Sequence, residues 1–337
     1  MPRPLRPLPS ALGAVFTAAE ARRAGVSRSR LLSADVERVF HGVYRRASRD
    51  PESVRSQSAA GGEASTAAPH PSEIWRDAQL RNARAALELL RPGQFFSHRT
   101  AAVILRLPVP ARDDDLLDIA CVEPGRAPRR AGVRARQLSA GQAQPGTCQG
   151  FPVVSPASAW AMLGGELDLP DIVALGDAAI RHPRIPGTQR LERSPYATVE
   201  ELEKAIASGR RRGNALLRQA LPLLSTSSAS PPESHLRLQL REWGFPEPDL
   251  DVDVFDHEGN LIGCSELAFC DYRVALEYEG DHHRTRATQW NRDIDKYHAY
   301  ALAGWLPVRI TASLQYRRQP ELRERIAGAL RSRGWRP

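Results

Sequence analysis

The clearest hydrophobic pattern lies between residues 233 and 314. Apolar residues at helical spacing in ESHLRLQLREW predict a helix that begins at the preceding Pro-Pro pair. Alternating segments LDVDVFD, LIGCSELAF and YRVALEYEG predict three strands, the first two joined by a turn at Gly259 and Asn260. A long helix over about 286–303 and a strand WLPVRIT follow. The predicted order is therefore helix, strand, strand, strand, helix, strand.

The amino end shows a different pattern. The segment FTAAEARRAGVSRSRLL predicts two short helices joined at Gly25, with Ser27 as the N-cap of the second. The segment VERVFHGVYRR then alternates around Gly42, which indicates a hairpin. Two helices followed by a hairpin favour a winged-helix DNA-binding domain over residues 1–50. In such a domain Arg28 and Arg30 begin the helix that reads the major groove.

Between these ends we expect a middle domain flanked by two linkers. Residues 51–72 are rich in Ser, Ala, Gly and Pro, and their composition predicts a flexible linker. Residues 73–222 mix helix-like and strand-like segments and contain no catalytic constellation. A shorter Ser-rich linker is expected at 223–232. The fold class that this predicts is α/β multidomain, with residues 233–337 as the carboxyl-terminal domain.

Composition narrows the function classes. The 337 residues include 47 Lys+Arg and 39 Asp+Glu, a net charge of +8, and ten of the arginines fall in the first 50 residues. A basic surface of this kind attracts phosphate backbones, so DNA is the expected partner. No apolar run is long enough to span a bilayer, and the four cysteines form no CxxC pair. We therefore expect a cytoplasmic protein with no membrane partner and no zinc site.

Three acidic residues carry the candidate chemistry. Strand alternation places Glu277 and Glu279 on one face of the third strand, and Glu266 lies near the end of the strand before it. Carboxylates on adjacent strands repel one another, and a divalent cation would offset that repulsion. Mg²⁺ or Mn²⁺ fits such a ligand set best. Glu233, on the preceding helix, is a further outer ligand or water-orienting residue.

Two histidines follow the same strand. His282 and His283 come directly after Asp281, at the end of the sheet where the carboxylates are expected. A neutral imidazole there can take a proton from water or orient a leaving phosphate, because its pKa lies near working pH.

The carboxyl-terminal segment resembles the PD-(D/E)XK nuclease superfamily, in the branch similar to very-short-patch-repair endonucleases that is common in actinobacteria. The resemblance rests on Glu233, on SELAF at 265–269, on VALEYEGDHHR at 274–284 and on the later Gly304-Trp305 pair. It covers about a quarter of the chain and implies a restriction-endonuclease-like αβββαβ core.

The resemblance also implies roles for these residues. It makes Glu266, Glu277 and Glu279 metal ligands, and it assigns the activation of water to Glu279, Glu233 or His282. His283 and Lys296 are further catalytic candidates, and Arg237 and Arg284 would balance phosphate charge. Two departures stand out, because Glu266 and Glu279 occupy positions where the family has aspartate. The family's lysine is missing from its usual place, and Lys296 on the following helix can reach back.

The amino-terminal segments resemble the winged-helix domain of AbiEi-type antitoxins, and SHRTAAVILRLPVP with SPASAWAML resembles the domain that follows it there. That resemblance implies operator binding without catalysis, and it leaves a toxin or other protein partner open. The DNA contacts expected in this region are Arg28, Arg30, Arg45 and Arg46.

The leading hypothesis is a metal-dependent DNA endonuclease whose amino-terminal domain binds DNA. The alternative is a non-catalytic, antitoxin-like transcriptional regulator that carries a degenerate nuclease-like domain. An RNA-directed nuclease is also compatible with the residues. The target sequence or structure is not written in them.

Overall fold

The computed structural model describes residues 7–47, 70–279 and 287–336, with side chains from residue 295 onward in the last range. Contacts divide the chain into two compact units. The amino-terminal unit contains residues 7–47, 70–105 and 111–155 of the described part, and the carboxyl-terminal unit contains 106–110 and the described residues from 156 onward. Helices and sheets occur together in the chain, which confirms the α/β class.

The amino-terminal unit begins with a small three-stranded sheet in the order β1-β3-β2. Its elements are β1 (Val15–Thr17), α1 (Ala18–Arg23), β2 (Val36–Phe40) and β3 (Val43–Arg46). Thr17 and Glu20 form a capping box that begins α1, with the Glu20 amide 3.2 Å from Thr17 Oγ1. Phe16, Ala21 and Leu31 lie in a common core. The predicted hairpin is confirmed.

The second of the two predicted short helices is only one 3₁₀ turn, Arg30–Leu32. Ser27 does accept the Arg30 amide, at 3.3 Å, as an N-cap would. Serines at 27, 29 and 33 offer the backbone local hydrogen bonds that compete with helix propagation. The turn therefore ends at Ser33, where the backbone becomes extended.

The rest of this unit is a five-stranded mixed sheet with two helices, in the strand order β6-β5-β4-β8-β7. Its elements are α2 (Pro71–Ala86), β4 (Gln94–Phe96), α3 (His98–Ile104), β5 (Leu117–Val122), β6 (Val133–Leu138), β7 (Pro145–Cys148) and β8 (Phe151–Val154). Helix α2 begins two residues inside the expected linker, because His70 caps it in a box with Glu73. Residues 51–69 of the expected linker lie outside the described ranges.

The carboxyl-terminal unit begins with five helices. These are α4 (Pro156–Leu163), α5 (Leu169–Ile180), α6 (Val199–Ala207), α7 (Asn214–Ala220) and α8 (Pro231–Glu242). Trp160 is fully buried, and its indole N–H donates to the Ile172 carbonyl at 2.9 Å, which ties α4 to α5. Both α5 and α8 begin with proline in the first turn, where the missing N–H costs no helical hydrogen bond.

Segment 223–232, expected as a second linker, is packed against α5. The buried Asp177 carboxylate accepts the Ser225 amide at 2.7 Å, the Ser234 hydroxyl at 2.7 Å and the Arg237 guanidinium at 3.1 Å. The serines of this segment are therefore held by hydrogen bonds, and its low hydrophobicity does not make it a free connection. Helices α5 and α8 belong to one compact unit as a result.

A four-stranded sheet in the order β12-β11-β10-β9 completes this unit, with β11 and β12 parallel and the other pairs antiparallel. Its elements are β9 (Asp249–Phe255), β10 (Leu261–Phe269), β11 (Val274–Glu279), α9 (Ala287–Leu302), β12 (Leu306–Thr311), α10 (Ala312–Arg317) and α11 (Gln319–Ser332). From α8 to β12 the predicted order of helix, three strands, helix and strand is confirmed.

The two faces of this sheet are buried differently. Leu267, Leu276 and Ile310 join a large apolar core with residues of α8 and α11. On the other face, Val254 and Ala275 form a much smaller cluster with Tyr300 of α9. That second face has room for polar side chains. Of the helices that the structure describes, none is both long and apolar enough to cross a bilayer.

Candidate active site

Glu277 is a buried carboxylate on the sheet face toward α9. Its neighbours Leu276 and Tyr278 pack into the large core, so strand alternation turns Glu277 to the opposite face. The predicted alternation along β11 is therefore confirmed. Glu277 is only 5% exposed, and burial of a charge to this degree requires a compensating partner.

Glu266 lies beside it on β10. The antiparallel register pairs Leu267 with Leu276, so one residue further along brings Glu266 opposite Glu277 on the same face. One oxygen of each carboxylate, Glu266 Oε2 and Glu277 Oε1, is buried with no hydrogen-bond partner among the described residues. Two carboxylates thus converge with unused acceptor capacity.

Burial raises the pKa of the Glu266 carboxyl from its ordinary value to about 8. This value includes smaller upward contributions from the negative charges of Glu233 and Glu277 and downward contributions from the Tyr278 amide and the Lys296 ammonium. A carboxyl with such a pKa changes its protonation state near neutral pH, whereas an ordinary surface glutamate is already ionised there. The shift makes Glu266 the most perturbed carboxyl of this cluster.

Lys296 supplies the positive charge of the site. It projects from α9, and its Nζ lies 2.6 Å from Glu277 Oε2 and 3.2 Å from the Cys264 carbonyl oxygen. One turn later on the same helix, the Tyr300 ring centroid lies 5.1 Å from Nζ. The structure therefore brings Lys296 back to the carboxylates, as the sequence led us to expect.

Glu233 is close enough to perturb Glu266, but its own oxygens are occupied. Glu233 Oε2 accepts the Ala229 amide and Oε1 accepts the Ser230 hydroxyl, both at 2.7 Å. Burial raises its pKa, and these hydrogen bonds act in the opposite direction. Glu233 thus fixes the first turn of α8 and contributes negative charge to the site.

Glu279 points toward a different partner. It forms an ion pair with Arg309 of the neighbouring strand β12, and that guanidinium also lies over the Tyr297 ring at 5.2 Å. The charge of Glu279 is therefore matched within the sheet. His282, His283 and Arg284 lie outside the described residues.

The arginines expected to bind DNA fall into two groups. Arg237 is buried against Asp177 and the Leu223 carbonyl, so it acts as a structural counter-ion and does not present its charge to a ligand. In the amino-terminal unit, Arg28 is exposed on the surface.

Three other arginines of that unit are engaged within the protein. Arg30 forms a bidentate pair with Asp35 at 2.7 and 2.6 Å, Arg45 donates to Glu37, and Arg46 donates to the backbone carbonyls of residues 9 and 12. Contact with a phosphate would require each of them to exchange or share a partner.

The donor set fits one hard divalent cation. Glu266 and Glu277 would hold it through their two unpartnered oxygens, and Mg²⁺ commonly uses one or two carboxylates with water and substrate phosphate as its remaining ligands. Across the residues that the structure describes, no group of three or more His, Cys, Asp or Glu side chains is arranged to hold a metal. The fit is therefore to a two-carboxylate site.

Sequence reasoning missed two residues beside the carboxylates. Tyr300 has a buried hydroxyl with no hydrogen-bond partner in the described part of the chain, and its i, i+4 spacing from Lys296 was a usable signal. Arg309 is brought to the site by the parallel pairing of β12 with β11, in register with Glu277. Its position depends on that pairing, which the local sequence does not specify.

No protein-family model matches the chain. Two curated proteins of Mycobacterium tuberculosis are similar to it, uncharacterized protein MT2308 of strain CDC 1551 and uncharacterized protein Rv2248 of strain H37Rv. Each is 29% identical over 201 residues, which is 59% of this chain and 65% of the relative. The chain thus spans just under two thirds of the relatives it matches, and neither name states an activity.

Proposed function

We propose that this protein is a metal-dependent DNA endonuclease that hydrolyses phosphodiester bonds in its carboxyl-terminal unit. The observation that carries the proposal is the convergence of Glu266 and Glu277 on adjacent strands, with Lys296 Nζ at 2.6 Å from Glu277. The αβββαβ order around this cluster supports the resemblance to PD-(D/E)XK nucleases.

A Mg²⁺ or Mn²⁺ ion held by Glu266 and Glu277 would polarise the scissile phosphate and make a water more acidic. Lys296 places a positive charge beside the same carboxylates, where it can balance charge on a phosphate oxygen. Glu266, with a pKa of about 8, can take up a proton near neutral pH in the ion-free state. Glu279 and Arg309 form the border of this face.

DNA binding is proposed for the amino-terminal unit. Arg22, Arg23 and Arg28 are exposed on α1 and in the segment that follows it. They provide phosphate contacts that do not require any internal ion pair to break. The β1-β3-β2 sheet beside α1 supports the winged-helix resemblance.

One observation favours a second function, that of a non-catalytic DNA-binding regulator. Lys296 pairs with Glu277 and Arg309 pairs with Glu279, so two of the acidic side chains are neutralised by the protein itself. A nuclease-like domain stabilised in this way needs no metal to fold. In that reading the carboxyl-terminal unit serves for folding or for binding a protein partner.

The test is cleavage by the purified full chain. Plasmid, nicked and mismatched duplexes are incubated with Mg²⁺, Mn²⁺ or EDTA, with an RNA duplex in parallel, using wild type, Glu277→Gln and Glu242→Gln. Glu242 is an exposed carboxylate at the end of α8 and is the matched control.

For an endonuclease we expect metal-dependent cleavage by wild type and Glu242→Gln, with a loss of at least about 100-fold in Glu277→Gln. DNA binding in EDTA should stay unchanged in all three proteins. If none of them cuts any substrate while each binds one DNA sequence equally in EDTA and Mg²⁺, the regulator is the correct function.

A further inference from the structure

The amino-terminal unit contains a cleft whose charged lining is entirely basic. The cleft has a volume of about 910 Å³, and the charged residues around it are Arg91, Arg126, Arg129 and Arg130. Among the described residues that line it, none is acidic. We call it the arginine cleft. It lies far along the chain from the carboxylates of the proposed nuclease site, in the other unit.

The arginine cleft is lined by strand β6, by the connection from β5 to β6 and by the segment that leads into β4. Gln137 and Ala135 of the edge strand β6 line it, and the connection from β5 to β6 carries three of its four arginines. Strands β5 and β6 are parallel, so this connection has to cross over the sheet to return.

A buried glutamine fixes two of the arginines in place. Gln94 is 8% exposed, its Nε2 donates to the Arg126 carbonyl at 3.0 Å, and its Oε1 accepts the Arg91 amide at 3.1 Å. The backbones that carry Arg91 and Arg126 are therefore held together by one side chain. Bringing like charges together is unfavourable by itself. A side chain that holds the backbones of two arginines together therefore indicates a preorganised binding site.

Arg130 has donor capacity to spare. Its Nη1 is buried, and no hydrogen-bond partner for it exists within the described ranges. A buried guanidinium N–H without an acceptor is costly, and an anionic oxygen entering the cleft would satisfy it. Arg91, Arg126 and Arg129 are exposed at the same cleft, and none of them forms an ion pair with another residue that the structure describes.

We propose that the arginine cleft binds a run of phosphate groups. Arginine is the side chain suited to this task, because its planar fork matches phosphate oxygens and stays charged at all working pH values. Of the described residues that line the cleft, none is an aromatic side chain on which a base would stack. Recognition here therefore depends on phosphate and not on bases. The phosphates belong either to a nucleic-acid strand or to a small polyphosphate, and the experiment separates these sources.

The connection from β5 to β6, which carries three of the arginines, also reaches the small amino-terminal sheet. A side chain at Gly132 would approach the Phe40 ring to 2.9 Å, so the end of the cleft's long connection packs on β2. The inference goes beyond the proposed cleavage, since binding in this cleft needs no metal and no carboxylate.

The test is binding to the full chain in EDTA, so that no cleavage can occur. The probes are a fluorescein-labelled 20-nucleotide single strand, the matching duplex and inorganic triphosphate. The main variant is Arg126→Ala/Arg130→Ala, measured by anisotropy and by calorimetry at several salt concentrations. Arg81→Ala is the matched control, because Arg81 is exposed on α2 in the same unit but outside the cleft.

If the ligand is a nucleic-acid strand, the double variant should bind DNA at least about tenfold more weakly, with a log–log salt slope shallower by about 2. If the ligand is a small polyphosphate, wild type should bind triphosphate and the variant should lose that binding. Arg81→Ala should stay within twofold of wild type in both arms. The charge-preserving variant Arg126→Lys/Arg130→Lys should bind more tightly than the double alanine variant and more weakly than wild type, because lysine keeps the charge but lacks the planar fork.

The proposal is overturned if the double alanine variant, melting at the wild-type temperature, binds every probe within twofold of wild type. It is also overturned if wild type binds none of them. The test measures binding without cleavage, so its result can be interpreted even if the protein is not a nuclease. A cleft that binds none of the probes would not contradict the proposed cleavage.

Discussion

At the scale of single residues, Glu266 and Glu277 are held in an arrangement that costs stability when no cation is present. Both carboxyls face the small-cluster side of the sheet, and each has one buried oxygen without a described partner. Lys296 offsets part of this cost by pairing with Glu277. The arrangement persists because the surrounding sheet and α8 are stabilised by the large core on the other face.

The first prediction concerns the pH dependence of stability in EDTA. The Glu266 pKa is about 8 in the folded chain and near 4.5 in the unfolded chain. Between these values the folded state binds more protons, so its stability falls as pH rises from about 4.5 to 8 and then levels off. Glu266→Gln should remove this loss and be more stable than wild type by at least about 2 kcal/mol at pH 8.5.

Urea unfolding at pH 5 and at pH 8.5 measures this effect. The advantage of Glu266→Gln should nearly vanish at pH 5, where Glu266 is protonated in the folded state. Equal stability of the two proteins at pH 8.5 would show that the Glu266 carboxyl has an ordinary pKa in the folded chain.

The second prediction concerns Lys296. Lys296→Met removes the partner of a buried carboxylate, and we expect the free energy of unfolding to fall by about 2 kcal/mol at pH 8. This loss is smaller than is usual for a fully buried ion pair, because the Lys296 side chain is partly exposed. In the Glu277→Gln background the same substitution should cost much less. The double-mutant cycle by urea unfolding gives the pair's coupling, and a coupling near zero would contradict the pair.

At the scale of elements, the joint between α5 and α8 depends on one buried polar network. Asp177 of α5 is 1% exposed and accepts from Ser225, Ser234 and Arg237. Burial raises its pKa, and Arg237 is the strongest influence that lowers it. The network explains why a Ser-rich segment lies packed in place between the two helices.

The third prediction is that Arg237→Met destabilises the carboxyl-terminal unit by about 3 kcal/mol, since it leaves the Asp177 carboxylate buried without its counter-charge. Asp177→Asn in the same chain should recover part of that loss. Arg241→Met, at an exposed position of the same helix, should change stability by less than about 0.5 kcal/mol. Thermal unfolding of the four proteins tests this, and equal melting temperatures for Arg237→Met and Arg241→Met would contradict it.

At the scale of the whole molecule, the boundary between the two units lies near residue 156, far upstream of the expected second linker. The helices α4 to α7 belong with the four-stranded sheet because α5 packs on α8. A carboxyl-terminal fragment that begins at residue 231 would therefore lack helices that pack within its own unit.

The fourth prediction follows from that boundary. Residues 156–337 expressed alone should unfold cooperatively, whereas residues 231–337 should not, because Ser234 and Arg237 lose Asp177 and α8 loses its partner helix. Circular dichroism melting curves of the two fragments measure this. A cooperative transition in the shorter fragment, at the temperature of the longer one, would show that the helical part is dispensable.

Local pattern was sufficient for most elements. Period-2 alternation identified β10 over Leu261–Phe269, with the bounds that the structure has. Helical spacing identified α8, which begins at the Pro-Pro pair as predicted. Strand alternation alone also placed Glu277 on the face opposite Leu276. The carboxylate candidates could thus be chosen from the sequence, because side-chain direction in a strand depends only on neighbouring residues.

The partners of those residues were decided by tertiary structure. Nothing local to Arg309 indicates that β12 lies parallel to β11 and brings it to Glu279, and nothing local to Arg237 indicates that it is buried against Asp177. The composition of segment 223–232 wrongly predicted a free linker, because composition carries no information about hydrogen bonds to residues about 50 positions away. The sequence by itself determined which side chains face which side of each strand. Only the folded chain determined which charges are paired, because pairing depends on elements distant in sequence.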